Sequence, residues 1–314
     1  MSKFKRRIDP SLLTQATVDE HHWLRELLLR WRPSGVPSER SEDGKFLSLR
    51  LAVRNGYLSF YCAGNQIAKV GCANGFPYEE THHKYSNLPK RGSSEYIRLP
   101  QPLASSAREM LTNRIQKSFF RQNGEKDFVD EVVGSNPAFF DLELALSFLS
   151  PGKTSPSAYR LDGASLEPHL NGWQIALWEA KLAKNNGARA IEVPVTMKQH
   201  AIYSAWFSVT GNAEAFIEGC RASCRYLVQL HELAKYAGNS DIAPLHESIV
   251  EIGSNPLTPL TLDPDVRYIV DVRGCKGVSF ISNGHDKKLR EHGIYVQVFG
   301  KDDNMVLGTR GAQR

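Results

Sequence analysis

Apolar and polar positions divide the chain into a β-rich front, a helical middle and an α/β remainder. Residues 18–31 repeat apolar positions at helical spacing and stop before Pro33, which predicts a short helix. A polar stretch bearing Gly, Pro and Ser runs to Gly44, and three alternating runs follow at 46–53, 57–63 and 66–72. Asn55-Gly56 and Gly64-Asn65 separate them, and such pairs between alternating runs mark hairpin turns. The pattern predicts a small antiparallel meander, trailed by the basic and aromatic His82-His83-Lys84-Tyr85. Residues 104–120 read as an amphipathic helix with Lys117 and Arg121 near its end, and 128–133 extends or follows it.

The pattern then changes. Runs at 138–148, 158–166 and 173–182 read as strands, 196–209 and 212–237 as helices, and 267–272 and 294–299 as further strands. Helix, three strands, helix, strand is an α/β order with a mixed central sheet flanked by helices. The first three strands are close enough to pair antiparallel through short turns, whereas the next must cross over through the helices. The expected organisation is an accessory helix and β-rich region over 1–100, a core domain over 101–300, and a flexible polar tail over 301–314.

Composition narrows the class. No apolar run approaches the roughly 18 residues a membrane helix needs. The basic start, Lys3, Lys5, Arg6 and Arg7, leads into Ile-Asp-Pro-Ser without an apolar segment, so the expectation is a cytoplasmic rather than a secreted protein. Cys62, Cys72, Cys220, Cys224 and Cys275 show no structural-zinc spacing and read as reduced thiols. A net charge of +5 suits a polyanionic partner without demonstrating one.

The chemistry gathers on the second and third core strands. Residues 174–182 are apolar on both faces, as in a central strand, yet contain Glu179-Ala180-Lys181. Charges there cost free energy unless paired, hydrogen-bonded or metal-bound. A two-residue turn at Asn171-Gly172 places 170 opposite 173, and therefore Asp162 opposite Lys181. Opposite residues share a face, as do residues two apart, so Asp162, Glu179 and Lys181 converge. A loop over 167–172 keeps this facing; an odd-length loop or a bulge breaks it. Two carboxylates and a lysine are what a hard-cation phosphodiesterase site requires: carboxylate oxygens for magnesium, and an ammonium to orient water and steady charge on phosphate.

Asp162, followed after 17 residues by Glu179-Ala180-Lys181, resembles the motif of the PD-(D/E)XK nuclease superfamily. Gln199 and Tyr203, four apart on the next helix, are similar to the Gln-x-x-x-Tyr motif of its RecB-like branch. The resemblance covers roughly residues 105–275. It implies a restriction-endonuclease-like core (αβββαβ) and a nuclease acting on nucleic acid, with DNA the favoured substrate. It also implies magnesium, or manganese in its place, held by Asp162, Glu179 and the main-chain carbonyl of Ala180, with Lys181 as the catalytic lysine. Gln199 and Tyr203 would position substrate. The family's acid on the preceding helix falls on Glu131, with Glu125 a second candidate and Asp141 and Glu143 rivals on the first strand. A nuclease without an evident specificity domain invites a protein partner, as in restriction, repair or antiphage defence systems.

Other readings stand beside these. Asp162, Glu179 and Lys181 could form a cross-strand salt bridge, and the whole could be a nuclease-like nucleic-acid-binding or scaffolding subunit without cleavage. His82 and His83 should diverge on a strand and serve as surface residues. Lys84, Arg91 and Arg98 with Tyr85 and Tyr96 would either grip a phosphate backbone and stack bases or form a solvated loop. Pro151-Gly152-Lys153-Thr154 is no phosphate loop, because Ser147 stands where that motif needs glycine. No Gly-rich dinucleotide fingerprint or Gly-x-Ser-x-Gly elbow points to a small-molecule enzyme.

Overall fold

A computed structural model of the chain describes residues 4–20, 22–40, 42, 47–86, 92, 94–99, 104–119, 124–148, 157–189, 195–274 and 277–310. The chain divides into two compact units. One comprises Arg6–Pro137 and Ala222–Pro256; the other comprises Met1–Lys5, Ala138–Arg221 and Leu257–Arg314. Together they make an α/β protein with one antiparallel and one mixed sheet, flanked by helices. Among the described residues no helix is long and apolar enough to cross a membrane.

The first unit opens with α1 (Pro10–Val18) and α2 (Leu24–Leu29). A single helix over 18–31 was expected, but the chain is extended at Asp19 and resumes helix only at Leu24. The signal for α1 is the Asp-Pro-Ser triplet: Asp9 caps the helix by accepting from the Ser11 N–H at 3.0 Å, and Pro10 supplies a preset φ in the first turn. The meander has five strands rather than three: β1 (Arg50–Val53), β2 (Tyr57–Cys62), β3 (Asn65–Ala73), β4 (Phe76–His82) and β5 (Tyr96–Arg98), each antiparallel to its neighbour. Then follow α3 (Ala104–Phe119) and α4 (Gly124–Ser135). Both helices belong to this unit and not to the core domain assigned to 101–300, because their buried charges are satisfied here. Arg114 on α3 pairs with Glu79 on β4, and Arg50 Nε on β1 pairs with Asp130 on α4 at 2.9 Å.

The second unit is built on β6 (Phe139–Phe148), β7 (Ser157–His169) and β8 (Gly172–Leu182), an antiparallel trio, followed by α5 (Asn186–Arg189) and α6 (Val195–Phe207). Helix α7 (Asn212–Tyr236) starts in this unit and ends in the first, which also holds α8 (Glu247–Ser254). Strands β9 (Leu260–Leu262) and β10 (Arg267–Asp271) return parallel to β8; α9 (Gly277–Ser282), α10 (His285–Glu291) and β11 (Val296–Phe299) complete the chain, with β11 parallel to β10. The sheet order is β11-β10-β8-β7-β6, with β9 alongside β8.

Strand β8 is central, and Ile175, Ala176, Leu177, Trp178 and Ala180 are fully buried. Helix α6 is fastened to one sheet face at two points: the Trp206 indole donates to the Ser147 carbonyl on β6 at 3.0 Å, and the Tyr268 hydroxyl on β10 donates to the Thr196 carbonyl at 3.0 Å. On the other face the Trp178 indole donates to Ser165 Oγ at 2.8 Å, and the Arg267 guanidinium lies 5.2 Å from the Trp178 ring. The segment after Lys301, expected to fray, is held as far as Arg310. Gln297 exchanges side-chain hydrogen bonds with Val306 and Gly308, and Arg310 pairs with Asp263 and Asp265.

Candidate functional site

Strands β7 and β8 pair from His169↔Gly172 to Gly163↔Trp178, so the turn is Leu170-Asn171. The expected turn was one residue later. Gly172 joins the strand because β9 extends the sheet there: the Trp173 N–H donates to the Pro259 carbonyl at 3.0 Å and Trp173 pairs with Leu260. Continued one step, the register sets Asp162 opposite Glu179 rather than Lys181. The difference is two residues, so parity survives and all three side chains still share the face under α6.

Their contacts are direct. Lys181 Nζ donates to Glu179 Oε1 at 2.6 Å, and the Ala180 N–H donates to Asp162 Oδ2 at 2.7 Å. Glu179 is buried, and its second oxygen faces α6, where the Tyr203 hydroxyl lies 3.2 Å from Oε2 and 2.9 Å from the Arg160 carbonyl. One phenolic proton serves those two acceptors, which fixes the Glu179 rotamer from above while Lys181 fixes it from the side. Next to Asp162, the Phe139 ring packs on Gly163 where any β-carbon would collide.

The electrostatics follow from the count of charges. Two carboxylates share one ammonium in a buried setting. Burial, and then the neighbouring Glu179 charge, push the Asp162 carboxyl well above the ordinary carboxylate range; Lys181 and the Ala180 N–H pull it back only in part. Burial and the Glu179 charge also raise the Tyr203 and Tyr268 phenols, so both remain neutral donors.

Gln199 stands one turn before Tyr203 on α6, and its Oε1 is buried with no hydrogen-bond partner among the described residues. Ala180 contributes through its main chain, its side chain being buried on the opposite face. Glu131 and Glu125 lie on α4, in the first unit. Within the site's own unit the acid nearest in register is Glu143, which falls between the pairs Leu142↔Gly163 and Leu144↔Leu161 and so across from Asp162. Its charge adds to the upward push on Asp162, and its carboxylate is 3.6 Å from Arg160. Glu143 has φ +48°, a left-handed backbone unusual for a non-glycine residue within a strand. Asp141 turns back on its own strand, accepting the Leu142 N–H at 2.8 Å.

Tyr268 was not foreseen. It is paired in register with Glu179 across β8 and β10 and belongs to the same buried face. No local pattern announces it, since the two residues are far apart in sequence. Among the described residues no cluster of three or more His, Cys, Asp or Glu side chains is arranged to hold a metal. The pair Asp162 and Glu179 nevertheless suits one. Both are oxygen donors, their joint charge exceeds that of Lys181, and magnesium characteristically takes one or two protein carboxylates with the remainder from water and substrate phosphates.

Outside this site, the His82 and His83 rings approach to 4.6 Å instead of diverging, because β4 ends at His82 and a 3-10 turn begins at His83. Residues 151–154, Arg91, Arg121 and Cys275 lie outside the described residues. No protein-family model, no curated protein and no solved structure matches this chain.

Proposed function

We propose that the chain is a divalent-cation-dependent nuclease of PD-(D/E)XK type, cutting phosphodiester bonds in nucleic acid, with DNA the favoured substrate. The observation that carries this reading is the trio itself: Asp162 and the Glu179–Lys181 pair on adjacent strands of a mixed sheet, braced by Tyr203. The strand order adds support, since an antiparallel trio followed by a parallel strand after intervening helices is the arrangement the αβββαβ core requires.

Asp162 and Glu179 would hold magnesium, or manganese, which when bound supplies Lewis-acid stabilisation of phosphate charge and acidifies water. The remaining roles belong to the chain's own groups. Lys181, tethered to Glu179, is positioned to orient a water and to stabilise charge growing on a non-bridging oxygen. Tyr203 keeps Glu179 in its working rotamer. Gln199, with its buried carbonyl oxygen, is available to a substrate donor. Glu143 is the acid placed to assist Asp162 from within the same sheet.

The test is cleavage of supercoiled plasmid, linear duplex and single-stranded DNA and RNA with magnesium, manganese or EDTA, comparing the parent with Lys181→Ala and Glu179→Ala. Metal-dependent cutting lost in both variants is the expected result; equal cutting by parent and variants would sink the proposal. The second reading, a binding or scaffolding subunit, predicts that nucleic acid is held without being cut under any of these conditions.

A further inference from the structure

The first unit carries a feature that the proposed cleavage site does not use. In the β2–β5 register, Tyr57 and Tyr78 both pair with Gly71, Lys69 pairs with Glu80, Glu80 with Arg98, and His82 with Tyr96. Partners across a sheet share a face, as do residues two apart, so Tyr57, Lys69, Phe76, Tyr78, Tyr96 and Arg98 all lie on one side, together with Glu80 and His82. The other side is the core side: Val70, Ile97 and Thr81 are buried there, and Glu79 meets Arg114 of α3. The outer side is an aromatic field in which Lys69 is paired with Glu80 and Arg98 is an exposed cation.

Phe76 is 73% exposed and Tyr96 37% exposed. Lys69 Nζ sits 4.8 Å from the Tyr57 ring centre and 5.8 Å from that of Tyr96, and its charge is met by the Glu80 carboxylate at 2.9 Å. The Arg98 guanidinium covers the Tyr78 ring at 4.3 Å, and this exposed arginine has no carboxylate partner among the described residues. Gly71 makes room for that stack, because a β-carbon there would stand 2.6 Å from the Tyr78 hydroxyl. Aromatic rings spaced along adjacent strands, with a guanidinium plane among them, match two needs at once: π-faces for unstacked bases and positive charge for a phosphate backbone. A duplex hides its base faces, so rings of this kind are of use only to a single strand. The +5 net charge of the chain favours the same polyanion.

We propose that this outer face of the β3–β5 sheet binds a single strand of nucleic acid, by stacking bases on Phe76 and Tyr96 and contacting phosphate through Arg98. The inference goes beyond the nuclease reading and does not depend on it, since it concerns binding by residues remote in sequence from Asp162, Glu179 and Lys181.

The experiment is fluorescence anisotropy in EDTA with the full chain, so that no cleavage intervenes. The probes are labelled oligo-dT and oligo-rU of about 20 nucleotides, longer than the roughly 4–16 such sites occupy, and a duplex of equal length. The variants are Phe76→Ala, Phe76→Trp, Tyr96→Ala and Arg98→Gln, all at exposed positions, with unfolding midpoints measured to show that each folds. The expected result is single-strand binding that weakens about 5- to 100-fold in each alanine variant and is kept in Phe76→Trp. Arg98→Gln should flatten the salt dependence by about 0.7 in log–log slope, the share of one single-strand phosphate. Folded variants that bind like the parent overturn the proposal, as does duplex bound as tightly as single strand or displacement of oligo-dT by a neutral oligosaccharide. Absence of metal-dependent cutting by the parent, with this single-strand binding intact, would count against the nuclease reading alone.

Discussion

Neutralising Asp162 should make the metal-free protein more stable, although the same change abolishes the proposed cleavage. Asp162→Asn keeps the shape and keeps an oxygen to accept the Ala180 N–H, so what it removes is charge. Directly opposed side chains on antiparallel strands stand with their β-carbons about 5 Å apart. Two like charges at about 5 Å in an effective dielectric of about 20 repel by about 3 kcal/mol. Asp162 also forfeits its attraction to Lys181, which is already held by Glu179 at 2.6 Å and returns only part of that sum. The net gain is about 1–2 kcal/mol, within the range of single stabilising substitutions. Its pH dependence has a definite sign. Asp162 has a raised folded-state pKa, so its contribution is fully favourable below its unfolded value near about 3.9 and is lost as pH rises through the folded value. The advantage of Asn over Asp should therefore be absent at the acid end, near about pH 3.5, and grow as pH rises toward about pH 8. Urea unfolding of both proteins in EDTA across that interval measures it directly, and added magnesium should stabilise the parent alone. A variant less stable than the parent at the alkaline end, or a gain that ignores pH, would refute this account of the charges.

Three further outcomes follow from the packing around the site. Tyr203→Phe should cost about 1 kcal/mol of stability for the lost hydrogen bonds and lower cleavage while leaving binding in EDTA unchanged; unchanged kcat would remove Tyr203 as the brace of Glu179. Arg267→Met strands Glu167, 2.5 Å from the guanidinium, and weakens the support of Asp263 at 3.0 Å, so chemical unfolding should register a loss of about 3–5 kcal/mol. A loss below about 1 kcal/mol would mean the buried cluster contributes little. Gly163→Ala forces the Phe139 ring aside at a cost of about 1–3 kcal/mol, and Phe139→Leu in the same chain should recover part of it.

The face shared by Asp162, Glu179 and Lys181 was legible because strand geometry repeats every two residues. Even a turn placed one residue late left the three side chains together, since both arms shifted and the register changed by an even number. Elements with strong periodic patterns, such as β6, β8, α6 and α7, were readable within a few residues. What escaped depended on contacts distant in sequence. Tyr268 joins the site only because β10 aligns beside β8, and α3 and α4 join the first unit because Glu79 and Arg50 lie there to meet Arg114 and Asp130. The positive φ of Glu143 left no trace in residue type, since a glutamate in a strand ordinarily signals extended backbone.

The turn at Leu170-Asn171 carries a consequence for how this lineage can change. One residue added inside β7, between Asp162 and His169, would rotate Asp162 to the far side of the sheet unless a bulge absorbed it. The same residue added at the tip, where Leu170 is 93% exposed, only lengthens a loop and leaves the pairing untouched. Descendants of this chain should therefore differ in length at 170–171 and be fixed in length from 162 to 169. The tip is also the place to graft an epitope or a second domain without disturbing the chemistry at the other end of the hairpin.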